Sequence, residues 1–275
     1  MKKIIILICL LFTLTLFGCN AQKENDAIID VPTVQPPATQ LPNDAFDDEN
    51  TQDNPENTED EEEQKKKKYY LVSTVNSLRI RALPKDSSTV LGYLDKNDAL
   101  LLQGENNGYY ETTFKEKTAY VHKNYCTLME IDCENDNIEN AIDLGSTLLG
   151  YPYVWGSQRY HWGNGKLNSN YIHGEYDCSA LVQYVYYKSN NVILDVTSRA
   201  QSLNGTKINR NELKRGDLMF FTNASRKDKT GLDKIGHVGI YFGNNYILHT
   251  ASDHAVIEPI SDLRWSYFVT ASKIL

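Results

Sequence analysis

The chain has 275 residues, 41% of them hydrophobic, and a formal net charge of −8. The length fits one or two folded domains beside a tail. The charge is concentrated: Asn20 to Lys68 carries −9, the first nineteen residues +2, and Tyr69 to Leu275 only −1. A nearly neutral body lacks the basic patch of a nucleic-acid binder, so no nucleic acid is expected as a partner.

Lys2 and Lys3 precede Ile4 to Phe17, an apolar run broken only by Thr13 and Thr15. The run is short for a membrane span and fits the hydrophobic region of an export signal. It closes with Leu16-Phe17-Gly18-Cys19, which resembles a bacterial lipobox. That resemblance implies a signal peptide over 1–19 and diacylglycerol on Cys19. The product would be an exported, membrane-anchored lipoprotein facing the periplasm or cell wall. Residues 20–68 are rich in Asp, Glu, Asn, Gln and Pro and nearly devoid of aromatics. Such a segment cannot bury enough apolar surface to offset its ordering entropy, and a disordered acidic linker is expected.

Residues 69–130 read as a small all-β unit. Short apolar runs at 71–75, 78–81, 90–94, 99–104, 109–114 and 119–122 alternate with polar turn segments such as Pro84-Lys85-Asp86 and Asn106-Asn107-Gly108. Val75-Asn76-Ser77-Leu78-Arg79-Ile80-Arg81, Asn107-Gly108-Tyr109-Tyr110-Glu111 and Thr118-Ala119-Tyr120-Val121 resemble, in order, three motifs of bacterial SH3 domains. The resemblance implies an SH3-like barrel that binds or orients peptidoglycan, or one that only packs. Cys126 and Cys133 lie close enough in sequence to pair at the domain junction.

Residues 135–275 have a different grammar. Ile138, Ala141, Ile142, Gly145, Leu148 and Leu149 share one helical face, and Gly150-Tyr151-Pro152 ends that helix. A second helix starts near Cys178, with Leu181, Val182, Val185 and Tyr186 at helical spacing. Strands are expected at 218–221, 237–242, 246–250, 255–258 and 268–274. Helices followed by antiparallel strands predict an α+β domain.

A cysteine at a helix N-terminus meets unpaired N–H groups and a positive dipole end, which favour the nucleophilic thiolate. His237 opens one strand and His249 closes the next, across the tight turn Gly243-Asn244-Asn245. A hairpin there can put both imidazoles on one sheet face, as a nucleophile–base–orienter arrangement requires. His122, His161, His173 and His254 read as surface or loop residues. No Cys-x-x-Cys, His-Glu-x-x-His or glycine-rich phosphate loop occurs, so neither metal nor cofactor is expected.

Asp177-Cys178-Ser179-Ala180-Leu181-Val182, Gly236-His237-Val238-Gly239-Ile240-Tyr241 and Leu248-His249-Thr250-Ala251 resemble the signature motifs of the NlpC/P60 cell-wall peptidases. Tyr151-Pro152-Tyr153-Val154-Trp155-Gly156 and Arg215-Gly216-Asp217-Leu218 add two more in the family's order. The resemblance implies a papain-like fold and a Cys178–His237–His249 triad with the thiolate and imidazolium as an ion pair. It implies hydrolysis of peptidoglycan stem peptides at the γ-D-glutamyl–diamino acid bond. Asp177 and Ser179 would hold the substrate's N-terminal amine, and Tyr153 would approach the reacting carbonyl. Asp217 is expected to shape a turn and Trp155 to pack. A monomer is expected. The alternatives are a non-catalytic wall-binding lipoprotein and a related amidase or acyltransferase. One departure stands out: Gly156 to Tyr176, 21 residues, separates two motifs that the family joins by a short link. This insertion either lines the cleft or is a surface excursion.

Overall fold

The computed structural model describes residues 66–251 and 253–275. The signal segment, Cys19 and the acidic segment up to residue 65 lie outside them.

Eight strands build the N-terminal unit: β1 (Lys67–Ser73), β2 (Leu78–Arg81), β3 (Val90–Leu94), β4 (Ala99–Leu101), β5 (Gly104–Asn106), β6 (Tyr109–Phe114), β7 (Lys117–His122) and β8 (Cys126–Asp132). They pair antiparallel in two sheets, β4-β1-β8 and β3-β2-β7-β6-β5. Leu71, Ile80, Leu100 and Val121 are buried in its core, while Tyr70, on the other face of β1, packs edge-on against Phe242 at 4.7 Å. The unit is wider than the expected 69–130, because Lys67 pairs in register with Asp132. Lysines at a domain edge look like linker in the sequence, yet here their backbone completes a ladder. Strand β8 has no expected counterpart, since Ile131 is its only buried residue and no alternation marks it. It also overturns the disulfide. Cys126 opens the strand and Cys133 follows its end, so extended chain holds the two sulfurs on the order of 20 Å apart. Both thiols are free.

The C-terminal unit contains helices α1 (Asp136–Thr147), α2 (Cys178–Asn190), α3 (Ser198–Gln201) and α4 (Asp262–Ser266). Its strands are β9 (Thr206–Ile208), β10 (Leu218–Phe221), β11 (His237–Gly243), β12 (Tyr246–Ala251), β13 (His254–Pro259) and β14 (Phe268–Lys273). One antiparallel sheet of order β13-β12-β11-β10-β14-β9 results. Helix α1 starts where Asn135 accepts the Ile138 N–H, with Asp136 and Glu139 complementing the dipole of its first turn. Helix α2 ends at Asn191, in the left-handed region at φ 55°. The sequence predicts one buried face for α2, but every residue from Cys178 to Tyr186 is buried. Strands β11 and β12 cover one side of it, while α1 and the 156–176 insertion cover others.

Strand β10 is apolar at all four positions because both sheet faces are covered. Leu218 and Phe220 join the main core. Met219 and Phe221 point the other way, into a small cluster with Ile247, Ile260 and the half-buried Phe268.

The loop before β10 ties the two units together. Arg215 donates to both oxygens of Glu139 on α1 (2.8 and 3.1 Å), to the Phe242 carbonyl (2.6 Å) and to the Tyr70 hydroxyl on β1 (2.8 Å). Lys68 adds a bond to Glu139 at 3.0 Å and also reaches Asp143. Gly216 follows at φ +88°, and a Cβ there would meet Ile138 at 2.8 Å, so no other residue fits. Asp217 turns the chain by accepting the Lys214 N–H at 2.7 Å.

Candidate active site

Asp177 caps α2. Its Oδ1 accepts the Ala180 N–H (2.9 Å) and the Ser179 hydroxyl (3.0 Å). The cap fixes the first turn and seats Cys178 at its start. Backbone N–H groups of Val238 and Ser179 face the sulfur and favour its charged form. They do not prevail. Burial first, and the Asp177 charge second, push the thiol up to about 11. The helix end was expected to leave a thiolate at rest, but in an interior site desolvation is the larger effect.

His237 opens β11 opposite Phe221 of β10. His249 lies on β12, and its Nδ1 is 2.8 Å from Nε2 of His237. The rings meet edge-on, with centroids 5.0 Å apart at 74°. Side chains two apart on a strand share a face, so His237 and Gly239 point the same way. A Cβ on Gly239 would lie 2.5 Å from Ile247 Cδ1 and 3.0 Å from His249 Cβ. Glycine at 239 is what gives the second imidazole room beside the first.

A residue the sequence reasoning missed completes the row. Glu258 of β13 accepts from His249 Nε2 at 2.9 Å and from Arg264 at 3.2 Å. Burial would raise this carboxyl, but His249 and Arg264 hold it below the ordinary range. The available signal was a lone carboxylate ending the apolar run Ala255-Val256-Ile257. An ionised carboxylate only accepts, so His249 carries its proton on Nε2 and offers Nδ1 as acceptor. His237 Nε2 must then be the donor, and Nδ1 remains as its basic nitrogen. Burial lowers His237 well below the ordinary imidazole value, and the Arg264 charge, with any proton added to His249, opposes its protonation further. The raised thiol and the lowered imidazole each favour the neutral form at rest, against the expected ion pair.

The cleft has two chambers. One, of about 420 Å³, is lined by Cys178, Asp177, Ser179, Arg159, Arg199 and Arg226 among others. The other, of about 370 Å³, is lined by His237, Phe221, Thr250, Leu263, Arg264 and Tyr267 among others. Tyr153, Asn223 and Gly236 border both. Burial, and then Cys178, raise the Tyr153 phenol. Trp155 was expected to pack. It stands 86% exposed at the rim of the Cys178 chamber.

The 156–176 insertion reaches this site. Tyr160 and Tyr171 pack edge-on at 5.0 Å and both press on Tyr184 of α2. His173 binds Glu116 in the β6–β7 turn at 2.6 Å. His161 is completely buried, contrary to the surface position expected for it. Thus anchored, the segment sends Arg159 into the Cys178 chamber. One guanidinium nitrogen donates to Asp177 Oδ2 (2.9 Å) and Ser179 Oγ (3.0 Å). The two residues expected to hold an amine are occupied by a cation of the chain itself.

Residues 150–273 match the model of the NlpC/P60 family. This segment is an NlpC/P60 domain. Peptidoglycan DL-endopeptidase CwlO of Bacillus licheniformis is 32% identical over 146 residues, covering 52% of this chain and 29% of that protein. A probable endopeptidase of Haemophilus influenzae, an NlpC homologue, is 34% identical over 98 residues, or 35% of this chain and 48% of its own. The γ-D-glutamyl-L-lysine dipeptidyl-peptidase of Bacillus cereus is 26% identical over 186 residues, or 66% and 49%. The chain thus spans less than half the length of each of these relatives.

Proposed function

We propose that the protein is a cysteine peptidase that hydrolyses peptidoglycan stem peptides at the γ-D-glutamyl–diamino acid bond. The observation that carries this reading is the His237–His249 contact of 2.8 Å, on the strand that also brings the Val238 N–H to the sulfur of Cys178. Cys178 is the nucleophile, His237 the base and then the acid, His249 the group that orients it, and Glu258 the group that fixes the tautomer of His249. Two of the relatives named above, the DL-endopeptidase and the γ-D-glutamyl dipeptidyl-peptidase, supply the substrate class.

The reaction starts from the neutral pair. As the sulfur attacks the γ-carbonyl, its proton passes to His237 Nδ1. The charge gained by His237 is spread through its Nε2–H to His249 and Glu258. The Cys178 and Ser179 N–H groups at the open end of α2 face the oxyanion, with Tyr153 at the border of both chambers. The tetrahedral intermediate collapses, the C–N bond breaks, and His237 returns the proton to the leaving amine. A water deprotonated by His237 then hydrolyses the thioester and regenerates the thiol.

The same reading makes Cys19 the lipid anchor, the acidic segment a tether, and the all-β unit an SH3-like module held at the wall. The purified protein and its Cys178→Ala variant are to be incubated with stem peptides and with intact peptidoglycan, and the products read by mass spectrometry. The parent should generate new amino termini at the diamino acid and the variant none. Absence of product from both substrates would sink the peptidase and leave a wall-binding lipoprotein.

A further inference from the structure

The two chambers carry different parts of a substrate. The general acid must reach the leaving nitrogen, so the leaving group belongs in the chamber lined by His237. The acyl segment, joined to the sulfur, belongs in the chamber lined by Cys178. That acyl chamber holds three guanidinium groups, from Arg159, Arg199 and Arg226, against one carboxylate, Asp177.

We propose that the acyl chamber selects a donor segment that is anionic and lacks a free amine. Arg159 closes the only acidic position to ammonium, and Arg199 and Arg226 receive a carboxylate. This rests on the peptidase reading of the same site.

An ammonium group needs acceptor oxygens. Among the lining residues the one anionic acceptor is Asp177, and three of its four lone-pair sites are engaged. Oδ1 takes the Ala180 N–H and the Ser179 hydroxyl, and Oδ2 takes Arg159. Asp177 is buried, at 7% exposure, so a second cation beside Arg159 would meet like charge at low dielectric. Arg159 cannot swing aside cheaply. It also donates to the carbonyls of Val196 and Ser157, and its segment is fastened by the tyrosine cluster on α2. The insertion therefore positions a charge that fixes substrate class, which is a specificity role and not a catalytic one.

The other two arginines have spare capacity. Arg226 gives one bond to the Asp233 carbonyl, at 2.9 Å. Among the described residues the Arg199 side chain makes no hydrogen bond or ion pair. Both are partly buried at the chamber wall, where a guanidinium pairs with carboxylate in fork geometry. A γ-linked glutamyl residue presents such a group, because linkage through the side chain leaves its α-carboxylate free. The L-alanine before it would be acylated, as in a stem still joined to its glycan, and not a free N-terminus.

The test compares the purified protein on L-Ala-γ-D-Glu-L-Lys with a free amine and on the N-acetylated peptide. The parent should favour the acetylated peptide at least tenfold in kcat/KM, and Arg159→Gln should bring that ratio to one or below. Arg159→Lys, which keeps the charge, should keep the preference. Arg199→Ala should raise KM for the α-carboxylate peptide and leave the α-amide counterpart unchanged. A parent that cuts the free-amine peptide equally well or better overturns the proposal while leaving the peptidase intact. So does an Arg159→Gln protein that melts normally and retains the parent's ratio. So does an Arg199→Ala protein that loses both substrates equally. Cleavage of neither peptide by the parent defeats the peptidase reading and this proposal with it.

Discussion

The junction around Arg215 and the cleft around Cys178 are both buried and both rich in ionisable groups, yet they treat the proton in opposite ways. At the junction burial alone would raise the Glu139 carboxyl, but Arg215 and Lys68 outweigh it and bring it down to about 2. Each charge there has a partner of opposite sign, and Arg215 alone makes four hydrogen bonds, so these groups keep their charge over the physiological range. In the cleft the thiol is pushed up to about 11 and the His237 imidazole well down. Neither group has a permanent counter-ion in contact. Burial with partners fixes a charge. Burial without them leaves a proton free to move, which is what acyl transfer needs.

The largest separation between the two regions should come from removing one group from each. His237→Ala should lower kcat by at least about a thousandfold, with an unfolding midpoint near that of the parent. Activity above that level would mean another group acts as the base. Glu139→Ala should do the reverse. Leaving Arg215 buried without its carboxylate is expected to cost about 3–5 kcal/mol, read as a lower urea midpoint. The kcat of the molecules that stay folded should hold. A Glu139→Ala protein of parental stability would show that the junction contributes nothing to the fold.

The two regions also differ in how far they could be read from the chain. Cys178, His237 and His249 were legible because each lies in a local pattern: a helix start, a strand start, and a strand end across a tight turn. The strands at 78–81, 90–94 and 109–114 stood out for the same reason. What stayed hidden depends on distance. Glu139 and Arg215 are 76 positions apart, and nothing local announces the pair. Glu258 looks like any strand-end carboxylate until β13 is laid beside β12. Arg159 lies in an insertion whose register no motif fixes. The burial that raises the Cys178 thiol was hidden as well, because a helix dipole can be read from sequence and desolvation cannot.

Glu258 offers a smaller but sharper probe, since it touches no reacting atom. Glu258→Gln keeps the shape but can turn an N–H toward His249 Nε2. That favours the Nδ1–H tautomer, which faces the Nε2–H of His237 donor to donor. The expected loss is about a hundredfold in kcat, smaller than for a carboxylate in direct contact with the base, with KM little changed. A purely structural Glu258 would lower the melting temperature and leave kcat alone.

The finest test of the contrast is pH. A thiol held above its unfolded value is still protonated in the fold where the unfolded chain has begun to lose its proton. Its stabilising contribution is therefore complete below pH about 8.5 and falls away as pH climbs toward 11. The lowered His237 and His249 act in the other direction. Their contribution is complete above pH about 6.5 and falls away in acid, where the unfolded chain gains protons that the fold rejects. Glu139 holds its own until lower pH, losing its contribution only between about 4.5 and 2. Stability should thus be greatest between pH 6.5 and 8.5. Cys178→Ala should make the alkaline limb shallower, the remainder belonging to the partly buried Cys126 thiol, pushed up to about 12, and should leave the acid limb as it was. Alkylation of Cys178 in the parent should still be accelerating above pH 8.5. A plateau already reached near pH 7 would mean that the thiolate–imidazolium pair, and not the neutral pair, is the resting state, and the contrast with the junction would fail at its most sensitive point.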